Sequence, residues 1–242
     1  MASVVMVVSG ANVWTMKNAK PHSTGFWSEE FVTPHRKFVE AGHKVTVASP
    51  GGVTPTVDPL SFNLSYNNNE ANRVSGQQGY MKALGDELTS PIHVEDINPE
   101  QFDAIFLVGG HGPMQDMAVH ATLGRVLVAM LDNPRKIVAA VCHGPAGFFT
   151  ASRTDGTWAL MDRRLTGFSN EEETQAGFAG NAPWLLEDRL RLSGARYVAK
   201  EPWTPHASLM ETSSPSSRTI RRPQLPTPFW SCSLADLTGR IP

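Results

Sequence analysis

The sequence predicts an α/β fold: a three-layer sandwich with a mostly parallel central sheet covered by helices on both faces. Three observations carry this reading. Short, largely apolar runs recur at residues 4–8, 44–49, 103–108 and 137–141, the first continuous and mostly β-branched, as expected for strands of a buried parallel sheet. Segments of helical spacing fall between several of them, so successive strands are joined by crossovers and lie parallel. The chain has 242 residues, 40% hydrophobic and 18% charged, a globular composition long enough for one full core.

Taken in order, Val4-Val5-Met6-Val7-Val8 is the first strand, ending in Ser9-Gly10. Residues 11–27 have no clear periodicity and read as irregular; they hold Pro21, His22 and Thr24-Gly25-Phe26-Trp27. Ser28 is placed to cap a helix over Glu29 to Ala41, with Glu29 and Glu30 in its first turn and Gly42 just past its end. Pro34 inside it predicts a kink or a late start. The second strand runs to Ser49 and is closed by Pro50-Gly51-Gly52, and residues 53–77, rich in Pro, Asn and Ser, read as a long surface connection. Asp103 to Val108 is the third strand and runs into Gly109-Gly110-His111-Gly112; helical spacing follows from Met114 to Leu131. Ile137 to Val141 is the fourth strand, followed at once by Cys142-His143-Gly144-Pro145. Leu165 to Phe168 resembles a strand end, and residues 184–193 read as a helix stopped by Gly194. In parallel sheets the reactive groups gather beyond the carboxyl ends of the strands, which puts Gly109–Gly112 and Cys142–Gly144 on one rim.

Bulk properties exclude several functions. A formal charge of −2 gives no electrostatic reason to bind nucleic acid or an anionic membrane. No apolar run approaches the roughly 20 residues that span a bilayer. The first run is too short for a signal-peptide core and lacks a basic flank, so a cytoplasmic protein is expected. Two cysteines, Cys142 and Cys232, make no disulfide framework and suit a reducing compartment. His22, His35, His43, His93, His120 and His206 show no metal-ligand spacing, so neither a metal nor another cofactor is expected.

A cysteine directly after a buried strand, with Gly144 two residues on, has the pattern of a nucleophile elbow, although a lone cysteine is often only a small buried hydrophobe. A helix beginning at the turn would direct its positive end at the sulfur and favour the thiolate. The backbone amides of Gly110, His111 and Gly144 are the expected donors to an oxyanion on the substrate, while His111 has the alternative of capping a turn.

Four segments occur in order at suitable spacing: Thr24-Gly25-Phe26-Trp27-Ser28-Glu29-Glu30, Val108-Gly109-Gly110-His111-Gly112, Val141-Cys142-His143-Gly144-Pro145 and Thr166-Gly167-Phe168. Together they resemble the ThiJ/PfpI branch of the class I glutamine amidotransferase-like superfamily, and within it the heat-shock chaperone-like subgroup with many cofactor-independent glyoxalases (glyoxalase III). The resemblance covers about residues 4–206 and implies a flavodoxin-like sandwich, with a homodimer as the assembly to expect. It implies Cys142 as nucleophile, His143 as its base, Glu30 as the acid beside the sulfur, and Glu173 as the acid that orients His143. Glu29 competes with Glu30, and Glu171 and Glu172 with Glu173, because a one-residue slip exchanges them; helix-start charge also accounts for such residues. The implied reaction converts a small 2-oxoaldehyde, methylglyoxal, to lactate through a cysteine hemithioacetal. Chaperone, redox-sensor and cysteine peptidase or amide hydrolase roles on the same scaffold are the alternatives.

Residues 205–242 change character, with six prolines, seven serines and four arginines and no regular pattern. In the family subgroup a strand of the type Asp-Gly-x-Leu-Ile-Thr-Gly follows at this point. Read one base earlier, the codons of Ser208 to Pro215 permit Ala-Asp-Gly-Asn-Leu-Ile-Thr, with the glycine forced by Met210-Glu211. The expectation is therefore a domain over 1–206 and an irregular Pro/Ser-rich tail over 207–242, produced by a frameshift in the gene or its recorded sequence and without a strand from Leu209 to Ser214.

Overall fold

A computed structural model of the chain describes residues 1–199, 201–203 and 208–211, the last four by their backbone. In chain order the elements are β1 (Ser3–Val7), β2 (Val13–Thr15), β3 (Pro21–Ser23), α1 (Ser28–Glu40), β4 (Lys44–Ser49), α2 (Ala71–Leu84), α3 (Asp86–Thr89) and β5 (Ile92–His93). There follow β6 (Ala104–Leu107), α4 (Gly112–Gln115), α5 (Ala121–Leu131), β7 (Ile137–Ala140), β8 (Arg164–Leu165), α6 (Asn170–Gln175), α7 (Leu186–Leu192), β9 (Arg196–Tyr197) and β10 (Ser208–Glu211).

One sheet carries the order β10-β7-β6-β1-β4-β5, parallel throughout except for β10 against β7. This is the mostly parallel, helix-flanked sheet of a flavodoxin-like fold. The central strand β1 pairs on both sides, Val5 lying opposite Thr46 on β4 and Ile105 on β6. Such a strand meets no solvent on either face, and Val4 to Val8 are fully buried. Helix α1 packs on β4 and α5 on β7. Because β1, β6 and β7 run parallel, the turns that follow them open on the same rim.

Several local expectations are corrected. Residues 11–27 hold an antiparallel ribbon of β2 and β3, three residues each, in which Pro21 sits at a strand start where no ladder donor is needed. Ser28 does not cap α1; Trp27 is the cap residue, and the Ser28 hydroxyl donates to Gln77 Oε1 at 2.6 Å. Residues 53–77 are not one loop, since α2 begins at Ala71. It buries only Gln77 and Met81, so no apolar stripe announces it. The helix from Met114 is broken at His120, which caps α5 through its side chain. Leu165 pairs outside the main sheet, β8 lying parallel to β9.

The tail is also corrected at its start. Ser208 to Glu211 form an antiparallel edge strand, Leu209 opposite Ala139 and Met210 opposite Val138. Edge pairing uses backbone amides and carbonyls, which almost any sequence can supply, so residue composition is a poor guide there. The remaining tail residues, Cys232 among them, lie outside the described residues. No helix among the described residues is long and apolar enough to cross a membrane.

Candidate active site

Cys142 stands at a sharp turn. Its φ is +54°, in the left-handed region that costs a non-glycine residue about 1–3 kcal/mol and that is found where surrounding structure holds it. The turn is closed by the Gly144 N–H donating to the Val141 carbonyl at 2.7 Å. The short helical segment that follows, Gly144–Thr150, is of the tight three-residue type and buries Gly144 to Phe148. The Gly144 amide is thus spent on the turn, which corrects its expected role as an oxyanion donor. The Gly110 N–H, by contrast, acts on the cysteine sulfur and favours its ionised form.

Glu30 reaches the sulfur because its segment is sewn to the glycine loop after β6. The Trp27 N–H donates to the Gly109 carbonyl at 3.2 Å, and the Gly112 N–H to the Gly25 carbonyl at 3.2 Å. The approach is so close that only glycine fits. A Cβ on Gly109 would fall on Glu30 Oε2 and 2.5 Å from Cys142 Cβ. Gly110 takes φ +88°, and its Cβ would collide with the Gly25 carbonyl.

The glutamate registers are resolved by geometry. Glu30 is buried against Cys142, whereas Glu29 forms an ion pair with Arg73. Glu173, in the first turn of α6, binds His143 Nε2 through Oε2 at 2.7 Å and His111 Nε2 through Oε1 at 2.8 Å. Glu172 closes a capping box with Ser169 and also accepts from the Trp203 N–H at 3.0 Å. Glu171 faces Gln175 on the exposed side. The helix start therefore assigns three adjacent acids three separate partners. His143 completes the line, its Nδ1 lying 3.2 Å from Cys142 Sγ.

The electrostatics follow from burial. Glu30 is pushed well above the usual carboxylate range, chiefly by desolvation; the nearby Cys142 thiol and Gly109 N–H pull it down only in part. Neither of its oxygens has a well-aligned hydrogen-bond partner among the described residues. A carboxyl so placed keeps its proton at neutral pH. Burial pushes the Cys142 thiol well up, and the neighbouring Glu30 adds to this. The expected low-pKa thiolate is therefore corrected: a buried sulfur beside a carboxyl, followed by only a tight seven-residue turn of helix, is not held ionised. Burial also lowers His143, with the adjacent His111 acting the same way. For Glu173, burial alone would raise the pKa, but His143 and His111 outweigh it and hold the carboxyl far below its usual range. An ionised Glu173 accepts an N–H from each imidazole. That sets His143 with its proton on Nε2 and a free lone pair on Nδ1, facing the thiol.

A cleft of about 430 Å³ opens over these groups. Its floor is Cys142, His143, Glu30, Gly110 and His111, and its walls include Trp27, Leu60, Tyr66, Phe168, Phe178 and Trp203. His111 does more than cap a turn, since it stacks on Trp14 at 4.6 Å and lies 4.3 Å from the His143 ring. Tyr66, Phe178 and Trp203 escape sequence reasoning because they come from separate connecting segments with no motif. The chemistry available is that of a covalent nucleophile with a base at its side and a protonated acid opposite.

A model of the DJ-1/PfpI family matches residues 22–202. Glutamine amidotransferase-like class 1 domain-containing protein 1 of Bos taurus is 29% identical over 169 residues, 70% of this chain and 71% of that protein. Glutathione-independent glyoxalase hsp3101 of Schizosaccharomyces pombe is 26% identical over 191 residues, 76% of this chain and 75% of its own. The crystal structure of glyoxalase III from Candida albicans superposes with a TM-score of 0.64 over 84% of this chain and 85% of that one, at 21% identity, a likeness of fold.

Proposed function

Because the chain belongs to the DJ-1/PfpI family, we propose that it is a cofactor-independent glyoxalase of the glyoxalase III type, converting methylglyoxal to lactate through Cys142. The observation that carries this reading is the contiguous line Cys142 Sγ–His143 Nδ1 at 3.2 Å and His143 Nε2–Glu173 Oε2 at 2.7 Å, with Glu30 against the sulfur. Relatives named glutathione-independent glyoxalase and glyoxalase 3 support it.

The sulfur is a thiol at rest, so its proton passes to His143 Nδ1 as it attacks the aldehyde carbon, giving a hemithioacetal. The protonated Glu30 and the Gly110 N–H donate to the oxygen that gains charge. His143, having released its proton to that oxygen, removes the hydrogen from the former aldehyde carbon as a proton while Glu30 protonates the former ketone oxygen, forming an enediol. It returns the proton to the neighbouring carbon while the hydroxyl on the sulfur-bearing carbon gives its proton back to Glu30, which leaves a lactoyl thioester on Cys142. Water then cleaves the thioester, regenerating the thiol and releasing lactate. The sequence is an internal redox exchange between two carbons plus one water, and no external oxidant or reductant is consumed.

The test is lactate formation from methylglyoxal without glutathione. Activity that disappears in Cys142→Ala supports the reading; no lactate from the folded wild-type chain, or equal lactate from Cys142→Ala, overturns it.

A further inference from the structure

We propose that His22, Asp58 and His111 form a binding site for a divalent transition-metal ion of the zinc class, distinct from the Cys142 nucleophile. The three residues come from β3, from the loop before Pro59, and from the turn after β6. Each can present one ligand atom such that all three lie within 4.8 Å of one another. Their separation along the chain is why no ligand spacing appears in the sequence. Two imidazoles and one carboxylate suit Zn²⁺ and its first-row neighbours, with further positions left for water.

Each group is held for the task. The Asp58 carboxylate is buried and fixed by the Thr24 hydroxyl at 2.8 Å and the Leu60 N–H at 2.9 Å, which leaves lone pairs on both oxygens. His111 donates its Nε2–H to Glu173 at 2.8 Å, so Nδ1 keeps the free lone pair. A carboxylate-backed imidazole is the usual state of a metal-binding histidine. His22 Nε2 is buried without a hydrogen-bond partner among the described residues, although the ring as a whole is partly exposed and gives an ion a route in. A buried polar atom left unpaired is costly, and an ion would satisfy it. The neighbouring set His111, His143 and Glu173 is the weaker candidate, because its nitrogens and oxygens already saturate one another at 2.7 and 2.8 Å.

The experiment is calorimetric titration of Zn²⁺ into protein carrying Cys142→Ser and Cys232→Ser, which removes both thiols as competing ligands, with thermal melts in parallel. Expected are saturable binding of one ion per chain and a melting temperature raised by Zn²⁺. His22→Asn in the same background should bind more weakly by at least the roughly 10–100-fold that loss of an outer-shell partner costs, and Zn²⁺ should no longer raise its melting temperature. Equal melting of the two proteins without metal shows that the variant is folded. Adding His143→Gln instead should leave binding intact. The proposal is overturned by no saturable binding, by equal affinity in His22→Asn, or by binding lost with His143→Gln and kept with His22→Asn. None of these readouts depends on glyoxalase turnover.

Discussion

Replacing Glu173 by glutamine changes one oxygen to an NH₂ and should disable the Cys142–His143 pair while leaving the fold in place. In the wild-type chain an ionised carboxylate accepts from two imidazoles, at 2.7 Å from His143 and 2.8 Å from His111. A carboxamide has one acceptor oxygen, so its NH₂ must face one of the two rings. If it faces His143, that ring must turn its Nε2 lone pair to the amide and carry its proton on Nδ1, toward the sulfur. The base is then in the wrong tautomer, a defect that costs about 10,000-fold in kcat in Ser-His-Asp triads. If it faces His111 instead, His143 still loses the charge that stabilises its imidazolium. Hydrogen bonds to charged groups are worth about 1.5–3 kcal/mol each, so losing one and weakening the other should cost the fold about 2–4 kcal/mol at neutral pH. The sign with pH follows from the direction of the shift. Glu173 is held far below its ordinary value of 4.5, so its contribution is fully present above that value and lost as pH falls toward the folded value. The assays are lactate formation, the rate of Cys142 alkylation, and chemical denaturation of both proteins between about pH 3 and 8. The expected result is a stability gap that is widest above about pH 5 and narrows in acid, together with a turnover loss of several orders of magnitude. Near-wild-type turnover, or a gap independent of pH, would refute the reasoning.

Three further outcomes follow. Glu30→Gln should lower turnover by at least about 100-fold, the usual worth of a positioned acid, whereas Glu29→Gln should stay near wild type because Glu29 pairs with Arg73; equal losses measured in the lactate assay would count against the placement. Alkylation of Cys142 by a neutral reagent should titrate above the ordinary thiol range, since burial and then Glu30 raise it, and a plateau already reached at neutral pH would contradict this. Shifting the frame after about His206 to restore Ala-Asp-Gly-Asn-Leu-Ile-Thr should raise the melting temperature, because Leu and Ile take the places of Ser213 and Ser214 and add apolar surface for the sheet to bury; an unchanged or lower value in calorimetry speaks for the present tail.

The strands and the elbow were legible in the amino-acid sequence because their physics is local. Val4 to Val8 is apolar without interruption, and only a strand buried on both faces needs that; Cys142 directly after such a strand and two residues before Gly144 can stand only at its carboxyl end. The resemblance in the segments around Glu30, Gly110, Cys142 and Phe168 likewise rested on residues adjacent in the chain. Helix α2 was not legible, since its buried side is little more than Gln77 and Met81, nor was β10, which pairs through backbone groups. Tertiary structure alone decided which of Glu29 and Glu30 meets the sulfur, and which of Glu171, Glu172 and Glu173 meets His143. Neighbouring residues on a helix start point roughly 100° apart, so a one-residue difference selects a wholly different partner. It also reversed the expected ionisation of Cys142, because a thiol's charge is set by desolvation and by a carboxyl more than a hundred residues away in sequence, and brought His22, Asp58 and His111 within reach of one ion.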